Sequence, residues 1–345
     1  MIGRNMETVL FSSDTPELFD AAVTRAAAVL ASGEPVALPT ETVYGLAADA
    51  LRPDAVLKIF EAKERPFFDP LIVHLPTPGW LEELAEIPAE SRALVAMLTR
   101  RFWPGPLTLV LPRRAVVPDV VTAGLGTVAV RMSAHPVFRA VIERFGRPLA
   151  APSANRFGRI SPTTGAHVFS ELAGRIPLIL DGGPTLHGVE STIVAVEGGR
   201  LRMLRAGPVT LDALAGVGME IVNPPSDGAR PEAPGQLARH YAPGTRLFLI
   251  DSATELTPGS SVRAGLLGWK RVASYDYGRF AQVEWLSETG DLREAAAGLF
   301  ARLRRLDDAG LDVIYAEKLP ETGLGLAIMD RLRKAAHPKP GEVEC

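Results

Sequence analysis

The amino-acid sequence predicts an α/β protein in which a larger domain built on a mixed sheet is followed by a smaller α/β domain. Short apolar runs typical of buried strands alternate with helical periodicities, and hairpin-like strand pairs toward residue 200 indicate strands of mixed direction. A Pro-rich polar stretch then precedes a second set of strands and helices. We therefore predict a first domain over residues 1–212, a linker over 213–244 and a second domain over 245–345.

The first helix is predicted from the residues at its ends. Thr15 is a suitable N-cap, Pro16 takes the first helical position and Gly33 follows the apolar pattern, which places the helix at residues 16–32. Val36 to Leu38 then form a short apolar run typical of a buried strand, and a polar turn follows it.

A second helix is predicted to begin at Pro53 and to be stopped by Pro66. Its apolar residues recur at i, i+3 and i+4, and Lys63 continues the same stripe, so the helix presents an ammonium group at its C-terminal end. We expect the Lys63 side chain to lie at a helix end rather than in the core. The alternating strand that follows can hold His74 near Thr40 and Lys63.

The remaining elements are assigned from the same two periodicities. In the first domain, strands are predicted at 107–111, 127–131, 148–151, 176–180, 191–196 and 200–204, and helices near 89–102, 136–145 and 164–173. In the second domain, strands are predicted at 246–250, 262–268 and 311–316, and helices at 291–309 and 325–336. The linker is too polar and too rich in proline to fold alone, and we expect its residues 233–243 to add little to the stability of the first domain.

Composition favours a soluble enzyme that acts on small molecules. The chain has 345 residues, of which 47% are hydrophobic and 22% charged, and a net charge of −3. Proteins that bind long nucleic acids usually have more basic than acidic residues, which this chain does not. A local basic face is still compatible with its net charge. The one cysteine, Cys345, excludes an intramolecular disulfide and a cysteine-based metal site. Without a long apolar run or a leader-like N-terminus, we expect a cytoplasmic protein that does not enter membranes.

Two further residues are candidates for anion binding. From the residues alone, Arg131 is either an exposed cation at a sheet edge or a planar fork that binds a carboxylate through two hydrogen bonds. Ser153 and Asn155 follow a predicted strand in a loop of small residues, which lets backbone amides and hydroxyls approach phosphate oxygens. The P-loop, zinc-protease and nucleophile-elbow signatures are absent from the sequence.

The order of these motifs carries more information than any one of them. Residues 39–45 read Pro-Thr-Glu-Thr-Val-Tyr-Gly, and Lys63-x-Arg65-Pro66, the Pro-Leu-Ile-Val-His run at 70–74 and Ser153-x-Asn155 follow in turn. In this order the sequence resembles the YrdC-like family of threonylcarbamoyl-AMP synthases. The Arg-His-Tyr-Ala-Pro run at 239–243 is similar to the element that precedes the C-terminal domain in the longer, two-domain members. The resemblance implies a twisted YrdC-like sheet around a concave cavity, followed by a Rossmann-like domain.

The resemblance also implies a reaction. The amine of L-threonine takes up bicarbonate or CO2 to form a carbamate, which attacks the α-phosphorus of ATP and expels pyrophosphate, so the enzyme is a nucleotidyltransferase. Mg2+ is expected to accompany the ATP phosphates, with no side chain assigned as its ligand, and no organic cofactor is expected. The product, L-threonylcarbamoyladenylate, feeds the downstream transferase machinery that makes N6-threonylcarbamoyladenosine in tRNA. Binding of tRNA itself is possible but would not be strong.

Residue by residue, the resemblance implies three sets of site residues. The catalytic residues are Lys63 and Arg65. The L-threonine site consists of Thr40, His74, Arg131, Ala151 and Ser191. The ATP site consists of Lys63, Phe67, Thr122, Ser153, Asn155, Ser161, Arg205 and Tyr241, with residues 233–243 as a lid that orders over the nucleotide.

Two positions depart from the family pattern. Asp69 stands where many members have Asn, which would weaken anion attraction near Lys63. Gln236-Leu237-Ala238 replaces the Met-Lys-Tyr often found before the His-Tyr pair, so the contacts of the linker stay open.

Two other functions remain as alternatives to the synthase. One is an RNA-binding module on the same surface, which pyrophosphate release dependent on threonine and bicarbonate would distinguish from an enzyme. The other is a carbamoyl-transfer domain of hydrogenase maturation. That domain normally accompanies a zinc-finger segment, for which this chain has no cysteine pairs.

Overall fold

The computed structural model describes residues 6–216, 221–222, 231–256, 259 and 261–338. The chain forms two compact units. The first comprises Met1–Phe157, Pro162–Leu186 and Glu190–Gln236, and the second comprises Gly158–Ser161, His187–Val189 and Leu237–Cys345. The predicted linker at 213–244 is therefore divided between the two units. Cys345 and most of residues 217–230 lie outside the described residues.

Strands and helices alternate along the first unit. Its strands are β1 (Val9–Ser12), β2 (Val36–Leu38), β3 (Gly45–Asp49), β4 (Ile72–His74), β5 (Leu107–Pro112), β6 (Thr127–Arg131), β7 (Leu149–Ala150), β8 (Leu178–Asp181), β9 (Thr192–Glu197), β10 (Arg200–Arg205) and β11 (Ile221–Val222). Its helices are α1 (Pro16–Ala31), α2 (Pro53–Lys63), α3 (Trp80–Leu84), α4 (Arg92–Phe102), α5 (Asp119–Thr122), α6 (Pro136–Phe145), α7 (Gly165–Leu172) and α8 (Leu211–Ala215).

The described strands of the first unit form one mixed sheet, as predicted. Their order is β1-β8-β2-β3-β7-β4-β6-β5-β9-β10-β11. Strand β6 is parallel to β4 and antiparallel to β5, while β9 and β10 form the predicted antiparallel hairpin. The central strands are buried on both faces, which is why their sequences read as apolar runs rather than as alternating patterns.

The ends of the first two helices test the sequence signals directly. Thr15 caps α1 by accepting a hydrogen bond from the Leu18 amide, and Pro53 begins α2, both as predicted. The prediction that Pro66 stops α2 is wrong by two residues. The helix ends at Lys63 because Glu64 takes a left-handed conformation, with φ 54°, and its amide bonds back to the last helical carbonyls.

Two apolar clusters cover the faces of the sheet. One packs α2, α4 and α5 against strands β3 to β6, with Val56, Ile59 and Phe60 of α2 buried as the predicted stripe requires. The other packs α1 and α6 against strands β2, β7 and β8. The fixed core on both faces holds the strand ends and their loops in place.

Strands β1, β3, β11 and β14 (Gln282–Trp285) were not predicted, and β11 falls within the predicted linker. Strand β3 reads Gly-Leu-Ala-Ala-Asp, a composition with little strand propensity. It forms because it pairs with β2 on one side and β7 on the other. Tertiary pairing therefore decides its conformation, and sequence periodicity does not reveal it.

The second unit contains a smaller parallel sheet. Its strands are β12 (Arg246–Ile250), β13 (Ala264–Gly268), β14 and β15 (Val313–Glu317), and its longer helices are α9 (Leu292–Asp307) and α10 (Gly325–Ala336). The described strands lie in the order β12-β15-β13-β14, and all neighbours are parallel. This agrees with the predicted second α/β domain.

The start of the predicted linker is part of the core of the first unit. Ala233 is fully buried in an apolar cluster with β5, β6, β9 and β10. The Gln236 side chain accepts hydrogen bonds from the amides of Glu232 and Ala233, at 2.7 and 3.1 Å. The expectation that residues 233–243 add little to the first domain is therefore wrong for residues 233–236, because a local turn lets one small apolar residue enter the core.

Two further observations concern the described residues. None of their helices combines the length and apolar character needed to cross a bilayer. Within the same part of the chain, His, Cys, Asp and Glu side chains are not grouped in threes or more to hold a metal ion.

Candidate active site

The polar turn after β2 is held by the Thr40 hydroxyl. Its Oγ1 accepts from the amides of Thr42 and Val43, at 3.0 and 3.2 Å, and lies 2.6 Å from the Val43 carbonyl oxygen. Thr40 Oγ1 also lies 2.8 Å from Thr42 Oγ1. A hydroxyl that bonds its own turn in this way fixes the backbone between two buried strands. Thr40 therefore shapes the turn from which Glu41 and Thr42 extend.

Arg131, at the end of β6, is buried and is not an exposed sheet-edge cation. Its Nη2 donates to Glu41 Oε1 at 2.6 Å, its Nη1 to Thr42 Oγ1 at 3.0 Å and its Nε to the Gly105 carbonyl at 3.3 Å. These contacts use three of the five N–H groups of a guanidinium. Among the described residues, no acceptor takes the second N–H of either Nη atom.

Glu41 is the buried anion of this cluster. Its Oε2 accepts a 2.5 Å hydrogen bond from Ser133 Oγ, in addition to the bond from Arg131. Burial alone would raise the pKa of Glu41, but the charge of Arg131 and the hydrogen bonds from Ser133 and Arg131 lower it to about 2. Glu41 is therefore ionised at neutral pH, and the Arg131–Glu41 pair carries no net charge.

Two histidines lie within electrostatic reach of Glu41. Burial, helped by the charge of Arg131 and opposed by Glu41, lowers the pKa of His74 to about 3, and its ring packs 4.5 Å from the Phe138 ring. Burial also lowers the pKa of His135, again against the effect of Glu41. Both imidazoles are neutral at pH 7. Among the described residues, neither Nδ1 has a hydrogen-bond partner, although both atoms are buried.

Strand register places the predicted threonine residues side by side. His74 on β4 is paired with Arg131 on β6, and Arg131 is paired with Thr108 on β5. Thr108 Oγ1 in turn lies 2.8 Å from Ser191 Oγ. The structure therefore brings His74, Arg131 and Ser191 into one row across the sheet. Ala151 adjoins the row, because its amide donates to the Ile72 carbonyl on β4.

Lys63 does not lie at an exposed helix end. Its side chain is 1% exposed, and Nζ donates to the carbonyl oxygens of Ser153 and Asn155, each at 2.5 Å. The Phe157 amide returns a bond to the Lys63 carbonyl. Burial lowers the pKa of Lys63 well below its ordinary value, and the charge of Arg65 contributes to the shift. The expectation of a side chain outside the core is wrong, because the stripe that buries α2 also buries Lys63.

Arg65 turns toward its own loop. Its Nη2 donates to the Pro70 carbonyl at 2.8 Å and forms an ion pair with Asp69 Oδ2 at 2.9 Å, while Nε donates to the Asp69 carbonyl. Asp69 is fully buried, and burial raises its pKa against the charges of Arg65, Lys63 and Arg205. Three cations therefore lie close enough to Asp69 to act on its ionisation.

Arg205 connects the row to the linker segment. Its Nε and Nη2 donate to the carbonyl and hydroxyl oxygens of Ser191, each at 3.0 Å, and its Nη1 donates to the Pro234 carbonyl at 3.2 Å. Gly207 makes this approach possible, because a Cβ there would lie 2.4 Å from the Thr192 amide nitrogen. Arg205 thus holds both Ser191 and the start of the linker.

The other predicted ATP residues are more dispersed. Thr122 is buried at the end of α5, and among the described residues its hydroxyl has no hydrogen-bond partner. Phe67 is 62% exposed, with its ring 5.0 Å from that of Phe60. Ser161 and Tyr241 belong to the second unit, where Tyr241 is buried with its ring 5.7 Å from Phe300. The first unit alone therefore contains the rest of the predicted ATP residues.

The sequence prediction missed four residues of the site: Glu41, Thr108, Ser133 and His135. Glu41 stands within the motif at 39–45, but a glutamate in a polar turn is normally solvated, so the sequence does not signal that its charge is paired. Thr108 sits inside an apolar strand, which signals a buried polar contact. Ser133 and His135 follow β6 in an irregular stretch, where no periodicity points to a role.

Comparisons with known proteins agree with this architecture. A family model of the Sua5, YciO and YrdC proteins, described as telomere recombination, matches residues 28–207, and a model of the threonylcarbamoyl-AMP synthase C-terminal domain matches residues 209–337. The threonylcarbamoyl-AMP synthase of Pyrococcus abyssi is 45% identical over 324 residues, covering 90% of this chain and 93% of that protein. The threonylcarbamoyl-AMP synthase of Bacillus subtilis is 44% identical over 332 residues, covering 92% and 93%.

A solved structure is similar over nearly the whole chain. The crystal structure of P. abyssi Sua5 complexed with L-threonine matches with a TM-score of 0.85 and 41% identity. The match covers 95% of this chain and 97% of that one.

Proposed function

The chain belongs to the Sua5, YciO and YrdC family in its two-domain form, and we propose that it synthesises L-threonylcarbamoyladenylate from L-threonine, bicarbonate or CO2, and ATP, with release of pyrophosphate. The observation that carries the proposal is the row of His74, Arg131 and Ser191 across the sheet, joined through Arg205 to a buried cationic group. The guanidinium of Arg131 suits the carboxylate of an amino acid, and the neighbouring group of cations suits a polyphosphate. In this reaction the chain acts as a nucleotidyltransferase.

The amino-acid subsite consists of the row and the turn beside it. The two N–H groups of Arg131 that have no acceptor among the described residues bind the carboxylate of threonine, since a planar fork matches the two carboxylate oxygens. His74 stays neutral at pH 7 and offers a ring nitrogen without adding charge. Thr40 and Ser191 supply hydroxyls that line the same subsite.

The cationic part of the nucleotide subsite consists of Lys63, Arg65 and Arg205. Their charges neutralise the phosphates as the carbamate oxygen attacks the α-phosphorus and pyrophosphate leaves. The protein forms no covalent bond to the substrates in this scheme, so its main contribution is to hold the reactants in line. Mg2+ enters with ATP, bound by phosphate oxygens and water, and supplies charge neutralisation there.

The product must pass to a second enzyme. A mixed anhydride of a carbamate and AMP is labile in water, so a downstream tRNA threonylcarbamoyl transferase has to receive it soon after it forms. We propose that such transferase machinery is the partner of this protein, and that tRNA itself is not tightly held by a chain with a net charge of −3.

One experiment tests the reaction and the substrate together. The protein is incubated with ATP, Mg2+, bicarbonate and one of L-threonine, L-serine, L-valine or no amino acid, and both pyrophosphate and the adenylate are measured. We expect pyrophosphate and threonylcarbamoyl-AMP to form in equal amounts, with L-threonine as the preferred amino acid and bicarbonate required. Pyrophosphate release that is the same with and without threonine would refute the proposal.

A further inference from the structure

We propose that Glu41 is a specificity-determining residue of the amino-acid subsite, where it balances the charge of Arg131 and receives the substrate ammonium, so that the subsite selects a zwitterion over an anion. This inference rests on the proposed function, because it concerns the same subsite. It adds a residue, Glu41, and it explains the selection of a zwitterion over an anion, which the row of His74, Arg131 and Ser191 does not.

The contacts of Glu41 hold its charge in one place. Its two carboxylate oxygens accept from different partners, Oε1 from Arg131 at 2.6 Å and Oε2 from Ser133 at 2.5 Å. Thr42, the next residue, accepts from the same guanidinium. Glu41 is 5% exposed, so water does not screen this carboxylate as it would at the surface. A carboxylate oxygen accepts more than one hydrogen bond, so both oxygens retain capacity for a ligand.

Neutral acceptors lie around this carboxylate. The groups that act on Glu41 from other elements are Arg131 and Ser133, and the groups on which Glu41 acts are His74 on β4 and His135 before α6. Both imidazoles are uncharged at pH 7, and among the described residues each has a buried Nδ1 without a hydrogen-bond partner. An ammonium has three N–H donors, and the carboxylate accepts from it directly. Each Nδ1 also accepts when its imidazole carries the proton on Nε2.

The charge balance gives the selectivity. If Arg131 were alone, the subsite would favour any carboxylate, with or without an amine. With Glu41 fixed 2.6 Å from the guanidinium, an anion meets a repulsive charge beside the attractive one. An α-amino acid carries both charges and can place each against its opposite. The pair should therefore reject an amine-free analogue more strongly than a lone arginine would.

The test is a set of binding measurements by calorimetry on the full-length protein. The ligands are L-threonine, its amine-free analogue (R)-3-hydroxybutyrate, and L-threonine amide, which keeps the ammonium and lacks the carboxylate. The variants are the wild type, Glu41→Gln and, as a matched control, Glu143→Gln. The control removes a carboxylate paired with Arg139 on the surface of α6, outside the subsite.

The measured quantity is the ratio of the dissociation constants of (R)-3-hydroxybutyrate and L-threonine. We expect Glu41→Gln to lower this ratio by about tenfold or more, while Glu143→Gln leaves it unchanged. If the ratio in Glu41→Gln stays within about threefold of the wild-type ratio, the inference is wrong. The loss of a purely structural ion pair would weaken the binding of all ligands alike. Failure of the wild type to bind threonine would instead refute the proposed function.

A second variant keeps the test sharp if Glu41→Gln does not fold. The double substitution Glu41→Gln and Arg131→Gln removes both members of the buried ion pair and leaves neither charge unpaired. The double variant should therefore be more stable than either single variant. We expect it to bind threonine, the anion and the amide with similar weak affinities. A double variant that still prefers threonine about tenfold over the anion would show that the charges do not set the choice.

Discussion

Lys63→Met separates two roles of Lys63, the contact with the loop at Ser153 and Asn155 that the structure shows and the contact with phosphate that we propose. Methionine keeps the apolar stem of the side chain but cannot donate to the carbonyls of Ser153 and Asn155. A buried acceptor that loses its donor costs about 1–3 kcal/mol, and the partly exposed Ser153 carbonyl costs less. Relief of the burial of the ammonium group offsets part of this. We therefore expect a net loss of about 1–3 kcal/mol in the free energy of unfolding.

The assay is urea denaturation followed by circular dichroism, with Lys58→Met as the matched control. Lys58 lies on the same helix and forms a half-exposed ion pair with Glu34 at 2.7 Å. Such a pair contributes about 0–1 kcal/mol. Hydrogen exchange of residues 153–157 provides a local measurement, because this loop should open more readily only in Lys63→Met.

The same variant tests the proposed contact with phosphate. Under native conditions, where Lys63→Met is still folded, pyrophosphate release should fall by about tenfold or more, as expected for the loss of a charge that stabilises the transition state. Equal stability of Lys63→Met and Lys58→Met, with equal exchange at residues 153–157, would refute the reasoning that Lys63 holds this loop.

Three further predictions follow from single contacts. The pKa of His74 is about 3 in the folded protein and 6.5 in the unfolded chain, so the unfolded chain binds the proton first as the pH falls. The free energy of unfolding of the wild type should therefore fall by about 1.4 kcal/mol for each pH unit from 6.5 down to 3. His74→Gln should lack this loss in acid denaturation. Arg131→Lys should raise the KM for threonine about tenfold and leave the KM for ATP unchanged, because one ammonium cannot replace a guanidinium held by three acceptors. If only the KM for ATP rises, the two subsites have been exchanged. Arg205→Met should speed hydrogen exchange at residues 231–236 and raise the KM for threonine, because Pro234 and Ser191 lose the same donor; unchanged exchange would show that this arginine does not hold the linker.

The sequence predicted most elements because their signals are local. Thr15 at a helix start and the apolar stripe of α2 depend on neighbouring residues, and both occur as predicted. Strand β3 depends on the distant β7 as well as on the neighbouring β2, and the burial of Ala233 depends on strands far along the chain, which periodicity does not encode. The position where α2 ends was missed for a related reason. A left-handed Glu64 has no distinctive sequence signal, whereas Pro66 has a strong one.

The candidate site was predicted as a list of residues but not as a network. The motifs identified Arg131 and Ser191 singly. Strand register then places Thr108 beside Arg131 and in contact with Ser191, which no spacing in the sequence expresses. The partner of Arg131 was missed for a different reason, because a glutamate in a polar turn is normally a solvated residue. Only the depth of the turn, with Glu41 at 5% exposure, shows that this charge must be paired.

The charges of the proposed nucleotide subsite bear on the proposal that Mg2+ enters with ATP. Lys63, Arg65 and Arg205 all donate to backbone carbonyls, so phosphate oxygens must compete with those acceptors. Asp69 removes one positive charge from the sum, because its buried carboxylate pairs with Arg65 at 2.9 Å. With Asp69 ionised, the cluster supplies at most two net positive charges, and fewer where burial leaves Lys63 neutral. Either sum is below the negative charge of a triphosphate. The rest of the neutralisation has to arrive with the substrate, which is the part that we propose Mg2+ takes when it enters bound to ATP.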